Sequence, residues 1–282
     1  MMQASTKLPG SGYGLLPLEF RKLIGFRSVR LGLIVAFSVP ILLTFAPDNG
    51  LSQVAGINLF LVSGWQVPGL TLYIVMQYLL PLLVAVTCAE IVGGEVAWGT
   101  LAPLLLRPVS RTRIILSKLF VAMLYPLLLL LVTLLSGLLI GGLRFGLGSF
   151  AGGTGLAEGG FNGSGILEPA TALFDLVRAY LIAGLVLAPL AGLGVVFGVL
   201  YLNTAAAALA SVAGIILMRM LAVFVWLKPL LLTEHLNAYA YFALPLETRA
   251  GTFKIEQSLI LLLLYTIGCA VAAVALFERK DL

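Results

Sequence analysis

Histidine occurs once in this 282-residue sequence, at His235, and cysteine twice, at Cys88 and Cys269. Metal and acid-base centres need several converging side chains, so a lone histidine beside Glu234 reads as a surface residue. The cysteines stand inside apolar runs, where each reads as a small buried side chain. No serine occupies a Gly-x-Ser-x-Gly elbow and no His-Glu-x-x-His pair is present, which removes two common hydrolase patterns. There is also no Gly-x-x-x-x-Gly-Lys-Ser/Thr loop; if this protein uses ATP, another chain must hold it.

Charge is scarce as well. Only 10% of residues are charged, against 61% hydrophobic, and the mean hydropathy is +1.10; a soluble domain carries roughly 25% charge. Several apolar runs reach the ~20 residues that carry a helix across a ~30 Å hydrocarbon core, and long polar-apolar alternation, the mark of a barrel, is missing. The fold class expected is therefore an all-α integral membrane protein. Residues 1 to 14 contain no apolar stretch, so the first span is expected to act as its own insertion signal.

Six spans are expected, at 31–46, 70–92, 114–141, 173–201, 205–227 and 258–277, with a short tail at 278–282. Before them, residues 1–30 include an amphipathic stretch in which Leu16, Phe20, Leu23 and Ile24 share a helical face opposite Arg21 and Lys22. Arg27 intrudes on that face. The division between the fourth and fifth spans rests on length and on the uncharged turn Tyr201 to Thr204, with a five-span reading as the alternative.

Lysine and arginine set the orientation. Eleven of seventeen (Lys7, Arg21, Lys22, Arg27, Arg30, Arg107, Arg111, Arg113, Lys118, Arg279 and Lys280) fall on one side if the spans are as above. Arg144, Arg178, Lys228, Arg249 and Lys254 fall on the other, and Arg219 falls inside span 5. Both termini are thus expected in the cytoplasm. The net charge of +5 follows from this asymmetry, and nucleic acid is not expected as a partner.

On the outer side, residues 141–165 hold eleven glycines and read as an exposed flexible loop. Residues 228–257 are too apolar for a solvated loop and too short to span; they read either as a segment dipping into the outer leaflet or as an interfacial aromatic belt. Within the spans, Arg219 is costly in hydrocarbon and should be paired, with Asp175 the nearest candidate in sequence. The two are candidates for a transport path or gate, or else a structural ion pair. Glu90 reads as interfacial. Pro189, Gly194, Gly198, Ala210 and Gly214 favour bending and close helix approach.

The segment Gly94–Lys118 is half polar and marked by Pro103 and Pro108. The chain is expected to turn at Gly93-Gly94, form a helical stub from Glu95 to Leu106, break at Arg107-Pro108 and restart with Ser110 as N-cap of span 3. Such a stub suits the transmission of force from a soluble partner.

The run Glu95-x-x-x-Gly99-Thr100-Leu101, then Leu104-Leu105, Pro108-Val109-Ser110-Arg111 and Lys118, resembles the cytoplasmic segment between spans 2 and 3 of the ATP-binding-cassette type-2 exporter permeases. The interfacial helix before span 1 resembles their connecting helix, and the tail Phe277–Leu282 resembles their short charged C-terminus. The resemblance covers the whole chain in layout and some twenty-five residues in motif. It implies a permease subunit of the inner membrane of a prokaryote, dimeric with itself or with a related permease. It further implies a coupling helix docked on a separate P-loop ATPase, which would hold ATP and magnesium; this chain would bind no cofactor. Glu95, Gly99, Thr100, Leu101, Leu104 and Leu105 would form the docking surface, and Pro108, Ser110, Arg111 and Lys118 the corner returning to the membrane. Pro103 departs from the pattern. The rival reading is a self-sufficient secondary carrier or channel, for which intramembrane acidic residues would be expected.

Overall fold

A computed structural model describes residues 15–45, 63–100, 110–148, 150–151, 166–239 and 255–280. Eight α-helices among them follow the chain: α1 Leu15–Gly25, α2 Arg27–Phe45, α3 Gln66–Gln77, α4 Leu79–Ala97, α5 Arg111–Phe145, α6 Pro169–Tyr201, α7 Thr204–Leu221 and α8 Ile255–Arg279. Apart from two short 3-10 segments, the only other regular structure described is a two-residue antiparallel pair, Phe150 opposite Leu167 and Ala151 opposite Ile166. Six of the helices, α2 and α4 to α8, are long and apolar enough to cross a membrane. The protein is thus a helical, multi-pass membrane protein, in agreement with the class read from composition.

Helix α6 is central, with α4, α5, α7 and α8 packed around it, while α2 lies against α5 and α3. Two glycines let α4 approach α6. A Cβ on Gly194 would stand 2.7 Å from the Ala85 carbonyl oxygen, and one on Gly198 would stand 2.8 Å from that of Ala89. In lipid, where apolar contact with a neighbouring helix replaces equally apolar contact with acyl chains, such backbone proximity is a main source of association.

The turn between spans 4 and 5 forms where expected. Leu202 takes a left-handed conformation, φ 52°, and ends α6. The Asn203 side chain then accepts from the amides of Ala205 and Ala206 at 3.0 and 3.1 Å, capping α7.

Four expectations are corrected. Span 2 is not continuous, since α3 ends at Gln77 and α4 begins at Leu79. Pro81 explains the break: it lacks the amide hydrogen that would bond the Gln77 carbonyl, and its ring crowds that same oxygen. The chain does not turn at Gly93-Gly94 either, because α4 runs through both glycines to Ala97. Span 5 ends at Leu221 rather than 227 and passes into turns and the 3-10 segments Lys228–Leu230 and Leu232–Tyr239. His235 is buried: its Nδ1 lies 2.9 Å from Ser258 Oγ and its Nε2 lies 3.1 Å from the Pro229 carbonyl oxygen.

The 3-10 segment that carries His235 packs its Leu232, Leu236 and Tyr239 into the space between α6, α7 and α8. Residues 231–239 are thus packed against the helix bundle, while Pro229 and Leu230 are exposed; the rest of the 228–257 segment, and most of the glycine-rich 141–165 loop, fall outside the described residues. In α1, Leu23 is buried and Leu16 and Phe20 are partly so, whereas Ile24 is exposed. The helix breaks at Phe26, so Arg27 opens α2 instead of intruding on the apolar face.

Candidate functional site

The root of the segment between spans 2 and 3 is built from four charges on three helices. Glu19 and Lys22 come from α1, one turn apart; Glu95 comes from the last turn of α4, and Lys118 from the second turn of α5. Lys22 Nζ lies 3.2 Å from Glu19 Oε1 and 2.9 Å from Glu95 Oε1. Lys118 Nζ lies 3.0 Å from Glu19 Oε2 and 2.7 Å from Glu95 Oε2. Each amine thus bridges both carboxylates, and the cluster is neutral overall. Lys118 is 0% exposed and the two glutamates almost as deep, while Lys22 seals the open side at 40%. Burial alone would lower the Lys22 pKa, but its hydrogen bond to Glu95 and the charge of Glu19 outweigh that and raise it above 10.5.

Beyond Glu95 the helix stops in a Schellman turn. Gly99 takes φ 66°, its amide donates to Val96 O at 3.1 Å, and the Thr100 amide donates to Glu95 O at 2.9 Å. The Thr100 hydroxyl donates to the same oxygen at 3.3 Å. Trp98 folds back so that its ring centroid lies 5.4 Å from that of Phe26, at the α1–α2 junction. At the far end of the segment, Ser110 has the extended backbone of an N-cap, but its hydroxyl makes no capping bond. Arg111 instead donates to the Lys280 carbonyl at 2.8 Å, the Thr112 hydroxyl donates to Glu278 Oε1 at 2.6 Å, and Lys280 Nζ donates to Leu200 O at 2.6 Å. The segment is therefore held at one end to α1 and at the other to the end of α8.

Of the residues expected on a docking surface or corner, the structure brings Glu95 and Lys118 together but turns both inward. A carboxylate and an ammonium this deep contact each other and α1, so neither is presented to a partner; the physical reason is that an unpaired charge there would be far more costly than the pair. Gly99 and Thr100 are exposed at the edge, as are Ser110 and, in part, Arg111. Leu101, Leu104, Leu105 and Pro108 lie outside the described residues. Glu19, Thr112 and Glu278 were not singled out by sequence. The Glu19-x-x-Lys22 spacing was the available signal for the first, and nothing local marked the other two.

Arg219 and Asp175 are not brought together. The Tyr180 hydroxyl donates to Pro68 O at 2.9 Å, which sets Asp175 beyond the level of Pro68, whereas Arg219 is level with Gln77, farther along span 2. Arg219 Nη2 donates to the Gln77 carbonyl, and its guanidinium carbon stands 4.4 Å over the Tyr78 ring. It supplies the donor that Pro81 removed. Asp175 neighbours Arg178, whose guanidinium carbon stands 3.9 Å over the Phe174 ring.

Fold and site together define a helical multi-pass membrane protein with a charge-clamped connection between its second and third spans. The chain belongs to the DUF2705 family, described as proteins of unknown function, which matches residues 33–282. Among curated proteins no sequence matches it.

Proposed function

We propose that this protein is the transmembrane permease subunit of an ATP-binding-cassette exporter, with its ATPase on a separate chain. The observation that carries the reading is the clamp of Glu19, Lys22, Glu95 and Lys118 at the root of residues 98–110. A segment that receives force from a motor must pass it to the spans without bending at its root. Buried ion pairs are costly to break by halves, so a push on residues 98–110 moves α1, α4 and α5 together. In this reading the basic end is cytoplasmic, both termini lie there, and the membrane is the inner membrane of a prokaryote. Two permease subunits then form one path, along which a hydrophobic or amphipathic substrate moves outward. The docking surface consists of the exposed Gly99-Thr100 edge together with Leu101, Leu104 and Leu105, while Glu95 and Lys118 act behind it as its anchor.

The test is purification of the tagged protein from its own membranes in mild detergent, beside a Leu104→Asp/Leu105→Asp variant. The expected result is a P-loop ATPase, identified by mass spectrometry, that accompanies the wild type and is lost from a variant with unchanged thermal stability. A wild type that repeatedly comes without an ATPase defeats the reading and favours a self-sufficient carrier.

A further inference from the structure

The geometry points to a binding site for the phosphate of an anionic phospholipid at Arg219, where span 2 is broken. Its depth follows from the helices. Gly93 of α4 lies against the start of α7, a Cβ there standing 2.9 Å from the Thr204 amide nitrogen. Tyr78 and Arg219 each stand fifteen residues from that contact along their own helices, about 22 Å at the rise of an α-helix. In a hydrocarbon core ~30 Å thick, this places the guanidinium in the leaflet remote from the basic end.

A guanidinium carries five N–H donors. One hydrogen bond goes to the Gln77 carbonyl, and one face of the guanidinium plane is covered by the Tyr78 ring. No carboxylate among the described residues pairs with Arg219, and an arginine at this depth requires an anion or water. The side chain is half-buried, and its surroundings open to lipid: Tyr78, Met220 and Val223 are exposed. Below it, Ile216 and Leu217 leave an apolar face of α7 uncovered, against which the acyl chains of the same molecule can lie. A phosphodiester oxygen pair matches the fork of a guanidinium, so one lipid satisfies both the charge and the apolar face. The site does not depend on the transport reading.

Native mass spectrometry tests it, on protein purified in detergent with phosphatidylglycerol or phosphatidylcholine. The wild type is expected to retain one phosphatidylglycerol per chain, and Arg219→Gln to bind it roughly tenfold more weakly, with Arg178→Gln unchanged. Arg219→Lys, which keeps the charge but not the fork, should fall between them and serves if the glutamine variant does not fold. Equal retention by wild type, Arg219→Gln and Arg219→Lys overturns the proposal. Displacement of the lipid by millimolar inorganic phosphate also overturns it, because the site would then belong to a soluble anion.

Discussion

Lys118 has no exposed surface and two carboxylates within 3.0 Å, which makes it the residue whose loss should cost most at the basic end. Lys118→Met leaves Glu19 and Glu95 buried with only Lys22 between them and is expected to destabilise the fold by about 3–5 kcal/mol. Lys22→Met, at a site open to water, should cost under about 1 kcal/mol. Thermal unfolding of both variants in the same detergent checks the order. The pKa shift of Lys22 has its own signature. A lysine raised above its ordinary value stabilises the folded state as the cation, so its contribution is complete below pH 10.5 and is lost as pH climbs through the raised value. The melting temperature of the wild type should therefore fall on that alkaline side more than that of Lys22→Met. Arg219 and Arg178 differ in the same way as the two lysines: the first completes the bonding of a broken span, the second is exposed over a ring. Arg219→Ala should lower the melting temperature more than Arg178→Ala.

Among the elements, span 2 depends most on a distant residue. Pro81 opens the gap after Gln77, and Arg219 from α7 fills it. Pro81→Ala is expected to make residues 66–97 one helix and to remove the need for Arg219. Arg219→Ala should then cost at least about 1 kcal/mol less in the Pro81→Ala background than in wild type, as read from a double-mutant cycle of unfolding. The glycines of the helix faces divide by what surrounds them. Gly194→Ala drives its methyl group against the Ala85 carbonyl and should weaken packing of α4 on α6, whereas Gly268→Ala, with nothing within 4 Å, should be silent. Expression level and melting temperature distinguish the two. Local signals announced some of these elements plainly. Asn203-Thr204 marked the α6–α7 turn through its capping chemistry, and Ser110 marked the start of α5 by position although its hydroxyl makes no capping bond. Gly93-Gly94 misled because lipid-buried helices accept glycine where close packing rewards it, here against Thr204. Gly99, five residues later, was the true stop, since the chain there needs a left-handed residue.

At the scale of the molecule, the charge bias predicts a definite sidedness. In a background lacking Cys88 and Cys269, both buried, Gly148→Cys should react with a membrane-impermeant maleimide added to intact cells. Thr100→Cys should react only after lysis, and the reverse pattern would invert the topology. The number of spans, their approximate limits and the bias of basic residues to one side are all local properties of the sequence: each follows from twenty or so consecutive residues meeting hydrocarbon or from the charges that flank them. The partners of the charges are not local. The family resemblance put Glu95 on a docking surface, and nearness in sequence alone paired Arg219 with Asp175. Tertiary packing placed Glu95 and Lys118 on neighbouring helices beside α1, and Arg219 on α7 level with a carbonyl that a proline had left unbonded. Apolar runs are determined by the sequence because lipid acts on every residue in the same way. Pairing was decided by the fold, because a charge in a low-dielectric interior settles on whichever group the packed helices bring within reach.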